Sequence, residues 1–282
     1  MKLACVQMNV AFGDWQANIA KVVSQLEKLA EGRVDLAVFP ECALTGYCIE
    51  DSWEAADAIA LGCPGHHDGP LREDQTMPIQ KACSKLGIAA IVGYAWNNGM
   101  DCLNAATFFR ADEGPEHYYK SHLPELGLDK HVMSGCELPV FDTEWGRIGI
   151  LICYDQRLPE PARVLALKGA DLIVLPTNWP EGAETSAEHV CITRAAENHV
   201  FYAACNRVGT ENGFTFIGRS KIIGPTGKVL AAAGSEEETI YSDIDMVEAR
   251  SKRIVVIPGQ YELPVFGARR PELYGIIAEP SD

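Results

Sequence analysis

The sequence predicts a mixed-sheet α/β fold, and three observations predict it. Short apolar runs alternate with amphipathic stretches of helical period through much of the chain. Apolar runs over 88–94, 102–109 and 116–119 come consecutively, with no helical stretch between them, so the arrangement is not purely doubly wound. No internal repeat, low-complexity tract or linker interrupts the pattern, so the 282 residues read as one domain, 1–282.

The elements follow in order. Residues 2–9 read as a buried strand. Residues 15–31 place Ile19, Val22, Val23, Leu26 and Leu29 on one stripe, a helix with Asp14 as its N-cap. DLAVFP, 35–40, is a second buried strand, ended by Pro40. A helix is expected over 71–86, then neighbouring strands in IAAIVGYAW and CLNAATFFR. RIGILIC, 147–153, is another apolar strand. A helix in PARVLALKGA, a strand over 171–176 and a helix over 184–198 follow it. VFYAACNRV, IGRSKIIG and ETIYSDID supply later strands, with GPTGK, 224–228, as a turn between two of them. From about 254 the chain is rich in Pro, Gly and Arg. It reads as a tail of little regular structure, ordered by docking on this subunit or on a partner.

Composition removes several function classes. The formal net charge of -15 repels phosphate backbones, which argues against nucleic-acid binding. No stretch reaches the roughly 18 apolar residues of a membrane helix. Ten cysteines are present and none forms a CxxC pair, so zinc-ribbon and thioredoxin-like readings have no local support. MKLACVQMNV reads as a strand entering a core and not as a signal peptide, which points to reduced thiols and a cytoplasmic location.

Three residues stand where a buried strand gives way to a loop, the placement at which α/β folds carry their chemistry. Cys153 ends RIGILIC, where a sharp turn lifts a side chain from the core and the Tyr154 N–H faces a reacting carbonyl oxygen. Glu41 ends DLAVFPE. Its apolar setting, with Phe39 and Leu44 nearby, raises its pKa toward that of a general base. Lys120 ends EHYYK, where Tyr118 and Tyr119 are placed to hold its stem and its ammonium to stabilise negative charge. Each has a plainer reading: a buried thiol among ten, a solvated loop carboxylate, a surface lysine. No histidine adjoins Cys153. His122, two residues beyond Lys120, reads as a structural or pocket residue.

Together the segments FPECALTGY, YYKSHLPE and GILICYDQRLPE resemble the glutamate, lysine and cysteine motifs of the nitrilase superfamily, the carbon–nitrogen hydrolases. ADLIVLPTNWP, TRAAENHVFYAACNRVG, FIGRSKIIGPTGKVLA and RRPELYG resemble further family segments in family order. The resemblance implies a four-layer α-β-β-α sandwich of the nitrilase type, usually paired into a homodimer or higher homo-oligomer, with no cofactor and no metal. It implies Glu41 as base, Cys153 as nucleophile, and Lys120 with the Tyr154 N–H at the oxyanion. The family's second glutamate falls by spacing on Asp129, with Glu125 as the alternative.

Tyr154-Asp155 after the cysteine resembles the amidase and carbamoylase branches more than the Trp-Glu of true nitrilases. A small linear amide or N-carbamoyl compound is therefore the expected substrate. Nitrile hydrolysis, an ammonia-supplying glutaminase and an inactive scaffold are the alternatives. Arg157 suits a substrate carboxylate, or else pairs with Asp155 or Glu160. Tyr47, Asn178 and Trp179 are expected on the pocket wall. Arg194 and Glu197, three apart on a helix, are expected to pair.

Overall fold

The computed structural model describes residues 1–63 and 75–280. The first half runs β1 (Lys2–Gln7), α1 (Trp15–Glu31), β2 (Leu36–Val38), α2 (Trp53–Ile59), β3 (Leu61–Cys63), α3 (Met77–Leu86), β4 (Ala89–Asn98), β5 (Cys102–Phe109) and β6 (Glu116–Tyr119). The second half opens with β7 (Val140–Asp142), β8 (Arg147–Ile150), α4 (Pro159–Leu167), β9 (Leu172–Thr177), α5 (Cys191–Asn198) and β10 (Phe201–Asn206). It closes with β11 (Val208–Glu211), β12 (Phe214–Ile217), β13 (Lys221–Ile223), β14 (Val229–Ala232), β15 (Glu238–Asp243), α6 (Val247–Arg250), β16 (Arg253–Ile257) and β17 (Tyr261–Pro264).

Two large mixed sheets result. One has the order β15-β1-β2-β4-β5-β6, with β3 pairing β4; the other has the order β14-β13-β10-β9-β8-β7. Strand alternation builds the layers. On β1, Leu3 and Cys5 face the second sheet, where Ile150, Leu172, Val174 and Ala203 meet them in one cluster. Ala4 and Val6 point the other way, onto Ile19, Val22, Leu26 and Leu29 of α1 and Ile79 and Cys83 of α3. On β9, Ile173 and Leu175 likewise face Leu165 of α4 and Cys191 and Ala195 of α5. The layers are therefore α-β-β-α. Both faces of each sheet are covered, which is why the central strands read as continuous apolar runs.

Local chemistry sets the element ends. Asp14 accepts the Ala17 N–H at 3.0 Å and starts α1. Gly87, in the left-handed conformation, stops α3. Of the helix expected over 71–86, residues 71–74 lie outside the described ones.

Three expectations need correction, and one gains detail. VFYAACNRV is not one strand: β10 ends at Asn206, and β11 begins a separate hairpin with β12. The helix expected over 184–198 is present, with a π-helical turn at Ser186–Val190 ahead of α5. The strand expected over 147–153 ends at Ile150, and after two residues Cys153 opens a 3-10 turn, Cys153–Arg157, ahead of α4. The tail is not irregular, because β16 and β17 form a hairpin. Apolar side chains propagate the larger pattern, whereas backbone geometry at single residues sets these breaks.

Candidate active site

β2, β6, β8 and β9 each end in a segment that carries a polar side chain into one region. Glu41 comes three residues after β2, in a turn whose next residue, Cys42, has φ +49. A non-glycine residue in that conformation costs on the order of 1–3 kcal/mol and persists only where its surroundings enforce it. Here β4 runs directly beneath. A Cβ on Gly93 would sit 2.6 Å from the Pro40 oxygen and 2.8 Å from the Glu41 Cα, so only glycine lets the strand pass.

Glu41 is fully buried. Its Oε1 accepts from Lys120 Nζ at 2.7 Å and from Asn104 Nδ2 at 2.8 Å. Its Oε2 is buried and has no hydrogen-bond partner among the described residues. Burial pushes the carboxyl above the ordinary glutamate value; Lys120 pulls it back, and Asp129 adds to the rise.

Lys120 directly follows β6, and its N–H donates to the Asn104 carbonyl at 2.9 Å. Its buried ammonium bridges Glu41 and Asp129, the latter at 2.5 Å. Burial alone would lower this lysine, but Asp129 and Glu41 outweigh it and hold it well above the usual value. Asp129 also accepts from Asn104 Nδ2 at 2.8 Å, and the Tyr47 hydroxyl lies 2.9 Å from it. Glu125 is exposed and outside this cluster, so the geometry favours Asp129 as the fourth residue. Tyr118 and Tyr119 are engaged elsewhere, on Asp155 and on the Trp96 ring. The ring over the ammonium is that of Tyr47, 5.8 Å from Nζ.

Cys153 opens its 3-10 turn at φ +43, a second strained non-glycine residue. The first N–H groups of such a turn have no acceptor within it, so the Tyr154 N–H is available to a ligand. The thiol is pushed up to about 12, by burial first and then by the Glu41 charge; Lys120, the Thr177 hydroxyl and the Asn178 N–H oppose the rise. Asp155 fixes the turn. Its buried carboxylate accepts the Ile152 N–H at 2.9 Å, the Tyr118 hydroxyl at 2.7 Å and the His122 N–H at 3.0 Å, and lies 2.8 Å from His122 Nδ1. It thereby ties the cysteine turn to the lysine loop. With these partners Asp155 does not take up Arg157, so of the alternatives for Arg157 the pair with Asp155 is not formed.

A cavity of about 220 Å³ opens beside Cys153 and is lined by Tyr47, Tyr154, Arg157, Asn178 and Trp179 among others. Tyr47, Asn178 and Trp179, the residues expected on a pocket wall, thus line one cavity with Arg157. Both amide atoms of buried Asn178 lack a partner among the described residues. Arg194 and Glu197 pair at 2.8 Å, as expected. Sequence reasoning missed Asn104. Its signal was there: one amide inside the wholly buried run CLNAATFF. Among the described residues no cluster of His, Cys, Asp and Glu is placed to hold a metal ion, and no helix is long and apolar enough to cross a membrane.

The sandwich and this cluster of carboxylate, lysine and thiol define a class of enzyme, the hydrolases of carbon–nitrogen bonds. The chain belongs to the carbon–nitrogen hydrolase family, whose model matches residues 2–254. A probable nitrilase of Schizosaccharomyces pombe is 32% identical over 285 residues, covering 99% of this chain and 98% of that one. A 2-oxoglutaramate amidase of Bacillus subtilis is 33% identical over 278 residues, covering 96% and 98%. Among solved structures, the NitN amidase of a Nesterenkonia species superposes with a TM-score of 0.77 at 22% identity, covering 97% of this chain and 98% of that one.

Proposed function

We propose that this enzyme hydrolyses a small linear amide or N-carbamoyl compound through a thioester on Cys153. One observation carries the mechanism: Glu41 has one oxygen fixed by Lys120 and Asn104 and the other buried without a partner among the described residues. A general base needs such a free lone pair.

Glu41 takes the thiol proton, and the Cys153 sulfur attacks the acyl carbon. The Lys120 ammonium and the Tyr154 N–H stabilise the oxyanion. Protonated Glu41 returns its proton to the leaving nitrogen, which departs as ammonia or an amine. Glu41 then deprotonates a water that attacks the thioester, and its proton regenerates the thiol as the acid leaves. The high thiol pKa fits this order, because the proton leaves during attack and not beforehand.

The cavity supports a small substrate, since 220 Å³ falls below the roughly 300–1,000 Å³ of drug-sized sites. Arg157 is exposed at its wall and suits a carboxylate at the far end of the substrate. The name of the Bacillus subtilis relative, an amidase of 2-oxoglutaramate, agrees with such a substrate.

We also propose a homodimer or higher homo-oligomer, in which Leu273, Ile276 and Ile277 of the exposed tail are covered by a second copy. Light scattering after size exclusion tests this; a monomer at micromolar concentration contradicts it.

The function is tested by incubating the protein with small amides, carbamoyl compounds and nitriles and measuring ammonia. Turnover of amides or carbamoyl compounds supports the reading. Turnover of nitriles alone, or none across the panel by folded protein, contradicts it.

A further inference from the structure

The β11–β12 hairpin touches both walls of the cavity without lining the reacting atoms. On one strand, Glu211 is buried, and its Oε1 accepts the backbone N–H groups of Tyr47 and Cys48, each at 2.7 Å. At the turn, exposed Asn212 donates from Nδ2 to the Cys48 carbonyl at 2.5 Å. Two adjacent residues thus hold the backbone at Tyr47 and Cys48 from both its N–H and its C=O sides. The other strand holds the opposite wall. The Ile217 N–H donates to the Trp179 carbonyl at 3.0 Å, and the Glu181 N–H to the Thr215 carbonyl at 2.9 Å.

The Glu211 carboxylate is itself fixed. Arg207, fully buried, donates from Nη1 to Glu211 Oε2 at 2.6 Å and from Nη2 to the Val10 carbonyl at 3.2 Å. Its guanidinium lies 4.4 Å from the centre of the Phe216 ring on β12. A carboxylate in this setting cannot shift without leaving a buried charge unpaired, which makes it a stiff support. Tyr47 and Trp179 hang from one hairpin although they follow strands of different sheets.

We infer that the hairpin is a spacer that sets the separation of the two cavity walls, with Glu211 as its positioning residue, and so limits the acyl group that reaches Cys153. The inference rests on the reading of Cys153 as the reacting thiol of this cavity. Loosening the support widens the site, so bulky groups gain access relative to small ones.

The test compares alkylation of Cys153 by iodoacetamide and by the bulkier 2-iodo-N-phenylacetamide, each rate read at Cys153 by peptide mass. Both probes see the same thiolate fraction, so it cancels in their ratio. Neither requires turnover, so a protein that hydrolyses nothing in the substrate panel still reports on the spacer, and the two failures stay distinguishable. In Glu211→Gln the preference for the small probe is expected to fall about fivefold or more, the worth of roughly 1 kcal/mol of lost hydrogen bonding. Where that variant does not fold, Asn212→Gly decides. It lies on the surface, keeps its positive φ of +45 and loses only the Cys48 bond, and the preference is expected to fall about twofold. An unfolded fraction reacts with both probes without regard to size and also lowers the ratio, so each variant is compared under conditions where circular dichroism shows it fully folded. An unchanged ratio in the deciding variant overturns the inference.

Discussion

The Lys120 ammonium lies between two buried carboxylates, 2.7 Å from Glu41 Oε1 and 2.5 Å from Asp129 Oδ2. One cation holding two anions out of water has a clear asymmetry. The trio is tolerable together, whereas removal of its centre leaves like charges facing each other. Lys120→Met is expected to lose activity and to cost about 3–5 kcal/mol of stability, read as a lower urea midpoint. Stability within 1 kcal/mol of the parent, at about the reproducibility of such extrapolations, contradicts this account of the cluster.

Asp129→Asn separates the two candidates for the fourth residue. The isosteric change removes one anion from Lys120 and weakens its hold, and kcat is expected to fall about tenfold or more. Glu125→Gln alters an exposed side chain and is expected to leave kcat unchanged. The reverse pattern assigns the role to Glu125.

The pH profile follows from Glu41. Only its ionised form can take a proton, and burial raises its pKa above the ordinary value of 4.5. The rate is therefore lost as pH falls through that raised value, so the acid limb of kcat/KM lies above the usual carboxylate range. Because the Lys120 charge acts on Glu41 throughout, the limb reports the carboxyl in its buried pair and not an isolated glutamate. A profile flat down to pH 4.5 contradicts the assignment.

His122 gives a stability signature of opposite sense. Its pKa is raised in the folded protein, chiefly by its hydrogen bond to Asp155. A raised histidine stabilises fully below its unfolded value of 6.5, and the contribution is lost as pH rises through the folded value. His122→Phe is thus expected to lower the melting temperature more at acid pH than at alkaline pH. An equal drop at both shows that the proton is irrelevant to the clamp.

The sequence made the scaffold legible because strand and helix periods record which faces are covered. Leu3 and Cys5 against Ala4 and Val6 is one such record. Glu41, Lys120 and Cys153 were legible together and not singly, since each ends a strand and the three motifs stand in family order. Asn104 escaped because its signal, a lone amide inside a buried run, marks no strand end. Asp155 escaped because its four hydrogen bonds reach residues up to 37 positions away, and spacing holds no trace of them. The positive φ values at Cys42 and Cys153 were equally hidden, as neither residue is of a type that announces such a conformation.

The most direct measurement is intact mass of the protein during turnover of an amide substrate, with peptide mapping of any adduct. The account predicts an acyl adduct on Cys153 that hydroxylamine removes. It also predicts no adduct, and turnover lower by about 10⁴-fold or more, in folded Cys153→Ala. Full turnover in that variant, or an adduct mapped to another residue, contradicts it.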